Sequence, residues 1–351
     1  MRPVNSAFKL SGSTVIPASG KIGAPGLNIY RQNHPVFFRR DRDRSGGNMA
    51  WALDKFKGII PALITPYDDM GEISEPATRK LVRHLLQKQV DGFYLSGSTG
   101  EGFLQSASER ERFLEIVADE VQGSVPVIAH VGAMDTATCI KLTKHAARAG
   151  ADAVSSVAPF YYKHGQEQVR GHYLDIANAA DIPLIIYHFP AMTGVQSTVR
   201  FYEELSKENN IVGVKFTSKD TFELQQLLEA CGPDFRVFNG PDECLLAGLA
   251  VGCCGAIGST YNIMPELFVE LYRKFQEGKL DEARVLQAKA NRVIAELVNY
   301  DFIAFEREIL KLQGIEVGLP RKPIQQLTEE ERLQIRLFAE RIDYLETFMT
   351  R

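Results

Sequence analysis

Ile211-Val212-Gly213-Val214-Lys215-Phe216-Thr217 is an apolar run interrupted by a single lysine. A run with so little alternation suits a strand buried on both faces, as in a parallel sheet. Similar short runs lie on either side of it, at 58–65, 92–95, 125–130, 153–157, 183–187, 236–239 and 255–258. Longer charged stretches with a 3.6-residue apolar period follow them, for example 75–89, 108–121, 136–149 and 221–231. Eight strand–helix units within about 220 residues suit a closed (β/α)8 TIM barrel. The doubly wound sheet is the alternative, but it normally carries a glycine-rich phosphate turn after its first strand. Here Ile64-Thr65-Pro66-Tyr67 stands at that place.

Further helical patterns follow the eighth run, at 264–276, 281–300, 302–312 and 328–348. One supplies the eighth barrel helix, and the rest are expected to form a C-terminal helical appendage. The expected division is a barrel over 49–280 and a helical segment over 281–351. Residues 1–48 stand apart: they are rich in Arg, Gly, Pro and Ser, and no acid precedes Asp41. Three readings stay open for them: an artefactual extension ahead of a start at Met49, a flexible native tail, or a targeting peptide.

Composition narrows the function classes. Lys and Arg number 40 against 44 Asp and Glu, a net charge of −4, so no general attraction to nucleic acid or an anionic membrane is expected. No segment reaches the ~20 apolar residues of a membrane span. The five cysteines (139, 231, 244, 253 and 254) show neither zinc-ligand spacing nor a disulfide framework. An odd count in a long chain suggests a reducing, cytoplasmic setting.

In a barrel of this kind, reactive side chains come from the C-terminal ends of strands and the loops that follow. Lys215 sits near such an end. Burying a lysine favours its neutral amine, the nucleophile that attacks a carbonyl. The competing reading is a lysine that snorkels to water or pairs with an acid. Tyr187 ends the preceding strand, where a phenol can relay protons or bind oxyanions; it is equally compatible with a core tyrosine at the rim. Ser98 and Thr99 lie between glycines, in a turn that offers N–H groups and hydroxyls to a small carboxylate, or simply caps a helix. Asp242-Glu243 is expected to open the helix after strand seven, where acids suit the helix dipole, sugar hydroxyls or a metal. Glu101, His130 and His188 read as structural.

Taken together, these residues resemble the N-acetylneuraminate lyase and dihydrodipicolinate synthase superfamily of class I aldolases. The resemblance runs from about Phe56 to the C-terminus. It rests on Gly97-Ser98-Thr99-Gly100-Glu101, on the stretch 187–194 (Tyr-His-Phe-Pro-Ala-Met-Thr-Gly), and on Gly213-Val214-Lys215-Phe216-Thr217, Gly240-Pro241-Asp242-Glu243 and Gly258-Ser259-Thr260-Tyr261-Asn262. Ser98 stands where the synthases usually carry a threonine. Met192 stands where they carry a carboxylate-binding arginine, which a thioether cannot replace. Both features point to the lyase branch, with Pro241 as a local departure.

The resemblance implies a reversible cleavage of N-acetylneuraminate to N-acetylmannosamine and pyruvate, through a Schiff base on Lys215 with Tyr187 moving the proton. It further implies that Ser98 and Thr99 hold the carboxylate, and that Thr217, Gly240 (through its backbone), Asp242, Glu243 and Ser259 hold the sugar chain. Tyr161 would reach a neighbouring subunit's site in a homotetramer. Neither metal nor separate cofactor is implied. Other expectations remain: an aldolase of 2-keto-3-deoxy sugar acids, a dihydrodipicolinate synthase-like enzyme, or a noncatalytic barrel that binds a sugar acid.

Overall fold

The structure, a computed structural model, describes residues 51–343 and Leu345. The extension at 1–48 and the end of the last helical pattern lie outside the described residues.

Eight parallel strands form the sheet: β1 (Gly58–Pro61), β2 (Phe93–Leu95), β3 (Val127–His130), β4 (Ala153–Val157), β5 (Leu184–His188), β6 (Ile211–Phe216), β7 (Arg236–Asn239) and β8 (Gly255–Gly258). From β2 to β8 each strand pairs with its sequence neighbour, and β1 pairs with β8. A parallel bridge between Ala62 and Tyr94, supported by the Leu63 N–H donating to the Tyr94 carbonyl at 2.8 Å, joins β1 to β2 and closes the barrel.

The helices between strands are α1 (Glu75–Gln87), α2 (Ala107–Val121), α3 (Thr136–Arg148), α4 (Gln166–Ala177), α5 (Pro190–Thr193), α6 (Val199–Leu205), α7 (Thr221–Cys231) and α8 (Leu245–Val251). Local chemistry starts most of the longer ones. Ser74, Asp135, Thr198 and Asp220 each accept from a backbone N–H of the first turn, and Ser106 with Glu109 forms a reciprocal capping box. After β8 come α9 (Pro265–Gln276), α10 (Leu280–Leu297), α11 (Phe302–Leu312) and α12 (Glu329–Glu340).

Two apolar layers follow from the strands' two faces. The outer cluster lies between sheet and helices and includes Ile59, Phe93, Leu184, Val214 and Phe216. The inner cluster fills the barrel and includes Ile60, Tyr94, Ile128, Ile185, Tyr187, Val212 and Phe238. Strand β6 contributes Val212 to the inner layer but Val214 and Phe216 to the outer one. Strict alternation would put all three on one face. The register explains the change: Leu184 pairs with Ile211, but the next residue, Ile185, pairs with Gly213. One extra residue in β6, a bulge at Val212, resets the phase. Beyond the bulge, Lys215 lies level with Tyr187 on β5 and Phe238 on β7.

Three consecutive charged residues of α11 are buried: Glu306, Arg307 and Glu308. Arg307 forms an ion pair with Glu101 and donates to the carbonyls of Thr65 at 2.8 Å and Val317 at 2.6 Å. Glu308 pairs with Arg332 of α12 at 2.5 Å. The C-terminal helices are therefore tied by charge to the loops at the barrel mouth.

Candidate active site

At the C-terminal ends of the strands lies a cavity of about 510 Å3. It is lined by Ser98, Thr99, Tyr187, Lys215, Thr217, Gly240, Asp242, Glu243 and Ser259. Nine residues expected from sequence to act together thus converge on one hollow. Phe189, Ile294, Leu297, Val298 and Phe302 add an apolar wall from the β5 loop, α10 and α11.

Lys215 is only 5% exposed. Its Nζ lies 4.2 Å from the ring centre of Tyr187 and 4.7 Å from that of Tyr94. Among the described residues it forms no ion pair with an acid. The snorkelling and acid-paired readings of this lysine therefore do not apply. Tyr187 is buried, stacked on Phe189 and edge-on to Tyr94 and His130. Tyr94 was not legible as a site residue, because its β2 run reads as ordinary core. Its hydroxyl donates to Ser155 at 3.0 Å, and burial pushes its phenol well above the usual range.

The Ser98-Thr99 turn is held from both sides. Ser96 and Glu101 adopt left-handed backbone angles, φ 54° and 57°, which non-glycine residues seldom do. The Glu101 carboxylate pairs with Arg307 and accepts from the Arg321 N–H at 2.7 Å. Glu101 thus supports the turn, as expected from sequence. The Ser98 carbonyl accepts the Glu101 N–H at 3.1 Å. The two hydroxyls of the turn have no partner within the described residues, so their hydrogen-bonding capacity faces the cavity. Met192 is 69% exposed and does not line that cavity.

The opposite wall is polar. Asp242 is buried, and its Oδ2 accepts from the Thr260 N–H at 2.9 Å and the Thr260 hydroxyl at 2.7 Å. Its Oδ1 completes no hydrogen bond among the described residues. Burial raises its pKa to about 6, Thr260 and Lys215 pull it down, and Glu243 pushes it up. Glu243 pairs with Lys219 at 2.9 Å. The pair does not open a regular helix: Asp242–Cys244 is a 3-10 turn, and α8 begins at Leu245. The reason is that Asp242 turns inward to Thr260 rather than capping the helix.

Two residues of α10 fasten this turn. Gln287 donates to the Asp242 carbonyl at 3.1 Å, and Asn291 donates to the Glu243 carbonyl at 3.2 Å. Sequence reading missed both, since polar residues on a long helix look solvated. Thr217 keeps a buried hydroxyl without a hydrogen-bond partner among the described residues. The Gly240 N–H donates to the Phe216 carbonyl at 2.8 Å, which leaves its carbonyl for a ligand. A Cβ at Gly240 would meet Thr217 Oγ1 at 2.1 Å and the Phe216 carbonyl oxygen at 2.8 Å, so backbone and cavity wall both require glycine there.

His188 accepts or donates at Nδ1 with the Tyr202 hydroxyl at 2.6 Å and stacks on Phe216; burial lowers its pKa to about 4. His130 contacts the Ser96 carbonyl at 3.0 Å, and burial holds its pKa well below the usual value. Neither lines the cavity. Tyr161 lies outside the cavity. It is 74% exposed, against Tyr162, on a second hollow of about 460 Å3 that Phe160, His164 and Val195 also line. Among the described residues no three His, Cys, Asp or Glu side chains converge as metal ligands would, and no helix is long and apolar enough to cross a membrane.

This geometry, an unpaired buried lysine level with a tyrosine at a barrel mouth, accords with the sequence pattern of the Dihydrodipicolinate synthetase family, which matches residues 55–342. The chain belongs to this family. Within it, the chain is 40% identical over 282 residues to an N-acetylneuraminate lyase of Rhizobium meliloti, an overlap of 80% of this chain and 94% of that protein. It is 37% identical to an N-acetylneuraminate lyase of Clostridium perfringens, over 78% of this chain and 95% of the other. Among solved structures, the sialic acid aldolase of Ruminococcus gnavus, crystallised as a catalytic lysine mutant, superposes with a TM-score of 0.81 at 34% identity, covering 83% of this chain and 97% of that one. A Clostridium difficile protein solved in complex with mannosamine gives a TM-score of 0.79, also at 34% identity, over 82% of this chain and 99% of the other.

Proposed function

We propose that this chain is a class I aldolase that cleaves N-acetylneuraminate reversibly to N-acetylmannosamine and pyruvate. The observation that carries the reading is Lys215: it is buried at the barrel mouth, flanked by two tyrosine rings and, among the described residues, in no ion pair with an acid. Such an amine can attack a ketone, whereas a sugar-binding barrel without chemistry has no use for it. Similarity to lyases and aldolases of sialic acid supports the choice of substrate.

In this reading, the Lys215 amine attacks C2 of the open-chain sugar acid, and loss of water gives an iminium. The iminium accepts the electron pair of the C3–C4 bond as that bond breaks. The C4 hydroxyl gives up its proton as C4 becomes the aldehyde carbon of N-acetylmannosamine. Tyr187 moves that proton, directly or through the substrate carboxylate. The remaining enamine is protonated at C3, and hydrolysis frees pyruvate and Lys215.

Ser98 and Thr99 hold the carboxylate. Thr217, the Gly240 carbonyl, Asp242, Glu243 and Ser259 hold the hydroxyls of the sugar chain. No separate cofactor takes part. The enzyme works as a homotetramer in which Tyr161 reaches a neighbouring site; its exposure and its exposed neighbour Tyr162 support this. A reducing cytoplasm suits its five free cysteines.

Borohydride reduction in the presence of pyruvate tests the chemistry. Mass spectrometry should find one three-carbon adduct per chain, mapped to Lys215 and missing from Lys215→Met. An adduct elsewhere, or none, defeats the reading. Faster cleavage of 2-keto-3-deoxygluconate than of N-acetylneuraminate would defeat the substrate assignment alone.

A further inference from the structure

Glu306 is a carboxyl group without an explanation. It is fully buried, at 0% exposure, and neither carboxylate oxygen completes a hydrogen bond among the described residues. Its neighbours in α11 are also buried, but Arg307 has Glu101 and Glu308 has Arg332. Glu306 alone lacks a counter-ion of that kind. It does not line the cavity; it stands behind Ser259, which does, and the Ser259 hydroxyl faces it. An ionised carboxylate left unpaired in such a place is strongly disfavoured, so the group is held neutral.

We propose that Glu306 is a positioning residue that turns the Ser259 hydroxyl outward, as a hydrogen-bond donor to the sugar chain. The inference rests on the aldolase reading and extends it to a residue behind the site. As a neutral acid, Glu306 offers its O–H to the Ser259 oxygen. Ser259 then has its own proton to give to a substrate oxygen. If Glu306 loses its proton, the polarity reverses: the carboxylate takes the Ser259 proton, and Ser259 presents only lone pairs to the ligand.

The surroundings favour the neutral form near pH 7. The Glu306 pKa is raised to about 8: burial is the largest influence and Asp242 adds to it, against the pull of Ser259 and Arg307. Asp242 in turn faces Thr260, Tyr261, Glu243 and Lys215. Among the described residues the Tyr261 hydroxyl and Asp242 Oδ1 also lack a hydrogen bond of good geometry, so the buried ground around Glu306 offers its charged form little support.

The test follows KM and kcat for N-acetylneuraminate from pH 6 to pH 10, beside borohydride trapping with pyruvate alone. In the wild type, KM should rise about 3- to 10-fold as pH passes 8, the worth of one neutral hydrogen bond, while kcat moves less. Glu306→Gln keeps an N–H donor and cannot ionise, so its KM should stay level across that range. Ser259→Ala should raise KM at every pH and abolish the rise. Trapping by pyruvate should persist in both variants. A flat wild-type profile, or a rise that survives in Glu306→Gln or Ser259→Ala, overturns the proposal. Loss of trapping in the wild type would instead defeat the aldolase reading itself.

Discussion

The Glu101–Arg307 pair sets the position of the carboxylate-binding turn, and breaking it should harm both stability and substrate capture. Glu101→Gln is the milder perturbation. It leaves the Arg307 guanidinium buried, its charge facing the carbonyls of Thr65, Val317 and Gly318 in place of its ion pair. Breaking a buried pair costs about 3–5 kcal/mol, and these carbonyls place this variant near 3 kcal/mol. Arg307→Met is harsher, because Glu101 keeps only the Arg321 N–H at 2.7 Å while three elements lose their common donor. That variant should fall near 5 kcal/mol. With a urea slope of about 3 kcal/mol/M, the midpoints should drop by about 1 M and about 1.7 M.

Urea unfolding at fixed protein concentration measures both, and pyruvate trapping measures the turn. The pyruvate concentration needed for half-maximal trapping should rise in each variant, since Gly100 alone separates the Ser98-Thr99 pair from Glu101. The double variant Glu101→Leu with Arg307→Met leaves no uncompensated charge from either partner. It should lose less than the sum of the single losses. Additive losses, or a Glu101→Gln midpoint within about 0.2 M of wild type, would refute the claim that this ion pair holds the turn.

Two further predictions concern the chemistry. Tyr187→Phe should lower kcat by about 10²- to 10⁴-fold, the usual worth of a positioned proton carrier, while pyruvate trapping survives; parallel loss of both would make the tyrosine a packing residue instead. Asp242 has a folded pKa raised to about 6, so its contribution to stability is fully present below its ordinary value and is lost as pH rises through 6. Its grip on sugar hydroxyls has the opposite sign: the charged acceptor disappears as pH falls through 6, so KM should climb there, and Asp242→Asn should show a raised KM without that climb.

The barrel was legible because burial on both faces leaves a mark that depends only on local composition. Runs at 153–157, 211–216, 236–239 and 255–258 coincide with β4, β6, β7 and β8, while the expected 58–65 run is regular strand only over Gly58–Pro61. The cavity was legible for a similar reason. Barrel topology puts strand ends together, so Lys215, Tyr187 and the Ser98 turn needed no knowledge of contacts to be grouped. Tyr161 differs in kind: a role between subunits depends on a surface that one chain does not contain.

The polar support of the site was not legible, and α11 shows why. Glu306, Arg307 and Glu308 read locally as a solvated charged face, yet all three are buried. What draws Arg307 inward is Glu101, 206 residues earlier in the chain. A helical period records which face is apolar; it carries no trace of a distant carboxylate that makes a charged face fit for burial. The Val212 bulge is hidden in the same way. It exists as a relation between two strands, visible only when Ile185 meets Gly213 rather than the residue after Ile211. Both features govern the site strongly, because one sets the level of Lys215 against Tyr187 and the other fixes the turn opposite. The reactive groups of this barrel can be read one residue at a time, but their alignment is a property of pairs.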